Sequence, residues 1–154
     1  MVKIMKTLIV YQSIHHGNTE KVAKKIAEVL GADLKKPNEV KPEDLADYDL
    51  IGFGSGIYYS KFHVTMLKFV DSLPEMSGKK TFIFYTHGAP VGKFGKKFAE
   101  KLTAKGLSLA GEFQCRGFDT FGPFKLIGGL CKGHPDEKDL SAATQFAEDL
   151  KFHS

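Results

Sequence analysis

The chain has 154 residues, 42% of them hydrophobic, and a formal net charge of +4 from 22 Lys+Arg against 18 Asp+Glu. That length buries one core and is short for two, so a single domain over residues 1–154 is expected. Arg116 is the only arginine, which argues against nucleic-acid binding, because bidentate readout of phosphates and bases relies on that side chain.

No apolar run reaches the roughly 18 residues of a membrane span, and MVKIMKTLIVY leads into a turn with no small-residue cleavage site, so a cytoplasmic protein without a transmembrane segment is expected. Cys115 and Cys131, even with His134, lack the close pair that opens most zinc motifs, and free thiols are expected.

Elements alternate along the chain. A strand over Thr7–Tyr11 precedes the turn QSIHHGNTE, and Val22, Ala23, Ile26, Ala27 and Leu30 then form one helical stripe that Gly31 closes. Ala32–Lys36 is polar enough for a strand near an edge, and Pro42–Ala46 makes a turn or two. A third strand covers Leu50–Gly54, followed by a loop over Ser55–Ser60. The second helix carries Phe62, Met66, Phe69, Val70 and Leu73, and a fourth strand over Thr81–Thr86 ends in the turn THGAPV. Phe94, Phe98, Ala99 and Leu102 mark a third helix, whose Lys93, Lys96, Lys97, Lys101 and Lys105 form a solvated stripe, or else a docking face for an acidic partner. Gly106, a strand over Leu107–Cys115, a Gly- and Phe-rich segment over 117–135 and a helix with Leu140, Ala143, Phe146, Ala147 and Leu150 complete the chain. The Phe-rich segment either closes the core under the fifth strand or offers a surface to a ligand or partner.

This alternation predicts an α/β fold, a three-layer α/β/α sandwich around a five-stranded parallel sheet of order 2-1-3-4-5. Ligands of such sheets bind beyond the carboxyl ends of the strands, where the strand order reverses. The first turn lies there. A helix starting near Asn18 offers unpaired backbone N–H groups, Gly17 lets the chain turn around an anion, and Ser13, Asn18 and Thr19 add neutral donors. With no Lys or Arg from Tyr11 to Glu20, the turn reads as a monophosphate cradle working by hydrogen bonds. GAPVGKF misses the spacing of a triphosphate loop, and Gly52-Phe-Gly54-Ser-Gly56 misses the dinucleotide fingerprint. His15 and His16 lack the carboxylate that would suggest a metal, but either imidazolium could donate to a phosphate. The Ser55–Ser60 loop offers amides and two aromatic rings to a flat heteroaromatic ligand, and THGAPV stands at the same edge.

The runs GNTEKVAKKIAE, DLIGFGSGIYYSKFHVTMLKFVDSLPE and CRGFDTFGPFKLIGGLCKGHPDEKDLSAATQFAEDL resemble the flavodoxin family of small FMN proteins over nearly the whole chain, and the second run is also similar to flavodoxin-type protoporphyrinogen oxidases. The resemblance implies that Ser13, His15, His16, Gly17, Asn18 and Thr19 hold the FMN phosphate. It places Gly54, Ser55, Gly56, Ile57, Tyr58 and Tyr59 beside the isoalloxazine, and Thr86, His87, Gly88 and Ala89 in the third flavin loop. Ile14 and His16 stand where the family usually has hydroxyl residues, so donors come from Ser13, a histidine or the backbone. With no Trp in the chain, stacking falls to Tyr58 or Tyr59. Family carriers are strongly acidic, whereas this chain is +4.

The implied function is FMN-dependent electron transfer between redox protein partners, with no side chain nominated as catalyst. In that reading, carbonyls of a Gly54–Gly56 turn reorient toward the flavin N5. A second reading is an FMN oxidoreductase acting on a quinone, porphyrinogen or similar flat acceptor; a third is a flavodoxin-like interaction module without flavin.

Overall fold

The computed structural model of the chain describes residues 5–13, 17–58, 61–87, 94–116 and 135–153. Its elements in chain order are β1 (Thr7–Gln12), α1 (Asn18–Leu30), β2 (Asp33–Lys35), two 3-10 turns (Pro37–Glu39 and Pro42–Asp47), β3 (Leu50–Tyr58), β4 (Lys61–Phe62), α2 (Val64–Asp71), β5 (Lys80–His87), α3 (Lys96–Ala104), β6 (Ser108–Arg116) and α4 (Glu137–His153). The parallel strands follow the order β2-β1-β3-β5-β6, which is the expected 2-1-3-4-5 arrangement once the short β4 is set aside. The Phe-rich segment of the sequence lies outside the described residues except at its last position, Pro135.

Strand alternation sorts the side chains into two layers. Ile9, Tyr11, Leu50, Phe82 and Phe84 face α1 and α4, where they meet Val22, Ala23, Ile26, Ala143 and Ala147. Leu8, Val10, Ile51, Phe53, Ile83 and Tyr85 face the other way, against Met66, Phe69 and Val70 of α2 and Phe98 and Leu102 of α3. Because β1, β3 and β5 are covered on both sides, they read in sequence as almost unbroken apolar runs.

The glycines of β3 belong to this packing. Gly52 pairs with Phe82, and Gly54 with Phe84, across the β3–β5 ladder. The tips of both phenyl rings cover the glycines, where a Cβ would overlap them. Gly31 and Gly106 take positive φ at the ends of α1 and α3, as expected.

Two expectations are corrected. The third strand runs on through Tyr58, so Gly54, Ser55 and Gly56 lie in a ladder with β1 and β5 instead of in a turn. Phe62 belongs to β4, antiparallel to β3 with Ile57 opposite Phe62, and the helix begins at Val64. The lysine stripe is also divided in use: Lys101 pairs with Asp71 at 2.9 Å, while Lys105 Nζ donates to the carbonyls of Asp71 and Leu73, tying α3 to the end of α2. Lys96 and Lys97 are exposed, and Lys93 lies outside the described residues.

Cys115 is a free, buried thiol. Burial, then the carboxylates of Asp139 and Asp136, push it up to about 12. In a Cys131→Ser background, Cys115 is expected to resist a thiol reagent at pH 8 in the native protein and to react in denaturant. Rapid native labelling would show that the thiolate is accessible.

Candidate functional site

The carboxyl ends of β1, β3 and β5 lie side by side, with α1 leaving the end of β1 through Gly17. Gly17 has φ 63°, a left-handed conformation that favours glycine, and this bend starts the helix directly beneath the strand edge. Ser13 Oγ accepts from the Glu20 N–H at 3.1 Å, which satisfies one first-turn donor and leaves the serine its own proton to donate. Asn18 and Thr19 are buried, Thr19 to 1% exposure. The Thr19 hydroxyl lies 2.9 Å from that of Thr86, so the first turn meets the end of β5 through a buried bond between residues 67 positions apart.

A carboxylate shares this corner. Glu20 Oε1 accepts from the Tyr11 hydroxyl at 3.3 Å and lies 3.8 Å from Lys24 Nζ. Burial first, then Glu20, raises the Tyr11 phenol above its ordinary value. Glu20 is not among the site residues expected from the sequence, although an acidic residue in the first turn of a helix is a recognisable signal.

Ser55 has a structural duty at the next strand. It is fully buried, its hydroxyl donates to the Gly56 carbonyl at 2.6 Å, and it accepts from the His63 N–H at 2.9 Å. His63, also missed in the sequence, caps α2: Nδ1 accepts from the Thr65 N–H at 3.2 Å and lies 2.9 Å from Thr65 Oγ1. Its ring stands edge-on to Tyr58, with centroids 5.3 Å apart. Its position just ahead of the Met66–Phe69–Val70 stripe was the available signal. With Gly54 to Gly56 held in the ladder, the expected reorientation of that peptide toward a flavin would require breaking sheet hydrogen bonds.

Burial lowers the His63 pKa below 6.5. A folded value below the unfolded one gives a contribution to stability that is complete above about pH 6.5 and is lost as pH falls through the folded value, when Nδ1 can no longer accept from Thr65. Denaturant unfolding at pH 7.5 and 5.5 should show this loss in the wild type and a smaller one in His63→Asn, which caps without titrating; equal losses would remove His63 from the effect. Deleting the cap with His63→Ala is expected to cost about 1 kcal/mol at pH 7.5.

At the end of β5 His87 is buried, its ring clustered with those of Tyr85 and Phe94 at centroid distances of 6.4 and 5.7 Å. His15, His16, Tyr59, Gly88 and Ala89 lie outside the described residues. A separate cleft of about 450 Å³ runs between α3 and β6, lined by Tyr85, Lys96, Glu100, Thr103, Glu112 and Gln114 among others. Burial, then Glu112, pushes the Tyr85 phenol up to about 12. Among the described residues no group of three potential metal ligands occurs, and no helix is long and apolar enough to cross a membrane.

A family model for the flavodoxin domain matches residues 8–123. The chain belongs to the flavodoxin family. It is 50% identical over 148 residues to an uncharacterized protein of Methanocaldococcus jannaschii, covering 95% of this chain and 98% of that one. Flavodoxin 1 of Azotobacter vinelandii is 29% identical over 150 residues, covering 87% of this chain and 86% of the relative. In fold, the chain is similar to oxidised flavodoxin 2 from Bacillus cereus, with a TM-score of 0.75, 23% identity and coverage of 96% and 98%. The flavodoxin topology puts the Gly17 turn at its switch point, with β2 to one side of β1 and β3 to the other.

Proposed function

We propose that this flavodoxin binds FMN and carries electrons between redox protein partners. The observation that carries the reading is the left-handed Gly17 turn, which opens α1 at the point where the sheet order reverses. The donor set fits a phosphate: first-turn backbone N–H groups, the Ser13 hydroxyl with a proton to give, and the Thr19 hydroxyl, all neutral. Glu20 Oε1 engages Tyr11 and Lys24, while its Oε2 lies 3.6 Å from where a Cβ on Gly17 would stand, so a bound phosphate must turn that carboxylate away from the cradle. Tyr58, held by the His63 ring, supplies an aromatic face at the end of β3, and His87 and Phe94 close the end of β5.

Bound FMN supplies the redox chemistry. The chain's part is to hold the phosphate, orient the ring against Tyr58 and exclude water with the buried ends of β3 and β5. Lys96 and Lys97, free of the ties that engage Lys101 and Lys105, suit a partner with an acidic surface.

The test is a visible spectrum of the purified protein with and without added FMN, followed by anaerobic reduction. Uptake of FMN and reduction in two resolved one-electron stages support a carrier. Reduction in one two-electron stage, with steady turnover of a quinone, would replace it with an oxidoreductase, and no uptake would reject both.

A further inference from the structure

The sequence resemblance places Thr86 in the third flavin loop, and in the fold its side chain lies on the α1 side of β5. It follows Phe82 and Phe84 on the α1 side of β5, is 4% exposed, and meets the Thr19 hydroxyl at 2.9 Å. We infer that Thr86 is a positioning residue for the phosphate cradle, orienting the Thr19 hydroxyl so that its proton points at the anion. This rests on the FMN reading above.

Each threonine hydroxyl has one proton to donate and two lone pairs to accept with. The Thr19–Thr86 bond uses one of the pair's two protons, and either oxygen can be its donor. If Thr19 donates to Thr86, it has nothing left for a phosphate. If Thr86 donates to Thr19, the Thr19 proton is released to an outside acceptor, and the accepted bond polarises it further. A phosphate at the α1 N-terminus selects the second arrangement, because only that one satisfies the buried proton and the anion together. Without Thr86 the Thr19 side chain also loses the contact that fixes its rotamer.

The placement has a second result. β5 leads into the third of the expected ligand loops, so a single buried bond joins the element that holds the phosphate to the strand that presents that loop. Thr86 therefore acts at the phosphate from the strand that leads into the third loop.

FMN and riboflavin separate these roles, since they share the ring and differ in the phosphate. Dissociation constants for both, from flavin fluorescence quenching, are measured for wild type, Thr86→Val, Thr86→Ser, Thr19→Val and the double Val variant. Thr86→Val should weaken FMN roughly fivefold to tenfold and leave riboflavin within about twofold. Thr86→Ser should restore FMN binding, and adding Thr86→Val to Thr19→Val should cost little more, because the two act through one proton. Equal weakening of FMN and riboflavin by Thr86→Val, or no weakening of either, would overturn the inference while leaving the functional reading standing. Wild type that takes up neither flavin overturns the functional reading and this inference with it. If Thr86→Val folds poorly by thermal melt, Thr86→Ala is read by the same comparison.

Discussion

Gly54→Ala is expected to destabilise the fold by about 2 to 3 kcal/mol, in the range for overpacking a tight core. The added Cβ would lie 2.7 Å from Phe84 Cε1 and closer still to the ring tip. Neither side can yield easily. Gly54 pairs with Tyr11 on one side and Phe84 on the other, so its backbone is fixed by two neighbouring strands. The Phe84 ring is fully buried and stacks on Phe82 at a centroid distance of 6.2 Å. Urea unfolding of Gly54→Ala and of Gly54→Ala with Phe84→Leu measures the effect. The smaller side chain should recover a good part of the loss; no recovery would mean that the strain lies in the backbone and not against the ring.

Phe62→Ala should have the largest effect, about 3 to 4 kcal/mol, from the lost burial and the cavity left behind. Phe62 is 3% exposed, stacks on Phe98 at 4.1 Å and 17°, and tilts against Tyr85 at 5.7 Å. It also faces Ile57 across the β3–β4 pair, one residue from Tyr58. Its removal should therefore loosen the hairpin that carries the proposed ring contact, lowering FMN affinity along with stability. Phe98→Ala is the control, because it opens the same stack from α3 and leaves the hairpin residues in place. Denaturant midpoints and FMN titrations of both variants are compared under conditions where each is folded. If Phe98→Ala loses FMN affinity as severely as Phe62→Ala, general softening of the core explains the result and the hairpin has no special part.

The central sheet was legible in the sequence because strands buried on both faces announce themselves as apolar runs, as in Thr7–Tyr11 and Thr81–Thr86. The extension of β3 was hidden. Ser55 and Gly56 have low strand propensity and earn a place in the ladder only through partners far away, Gln12 on one side and Tyr85 and Thr86 on the other. In sequence Phe62 reads as helical because it stands four residues before Met66, the spacing of a helical stripe, and a two-residue strand leaves no periodicity of its own. At the site, Gly17 was readable from the turn chemistry that surrounds it. The roles of Ser55, His63 and Thr86 were not, since each is defined by a hydrogen bond that only the folded chain creates.

The alternation along β3 makes the segment sensitive to parity. Odd positions 51 and 53 lodge in the α2 layer, as does Ser55 through its bond to His63, while even positions 52 and 54 lie bare beneath the rings of β5. One residue inserted ahead of Gly52 would exchange the two sets, driving Phe53 into Phe84 and bringing Ser55 round to α1. Two inserted residues would keep every side chain on its own face and alter only how far the strand reaches toward the ligand edge. Change of length in this strand is thus tolerable in steps of two, a constraint that falls on insertions and deletions where substitutions would not reveal it.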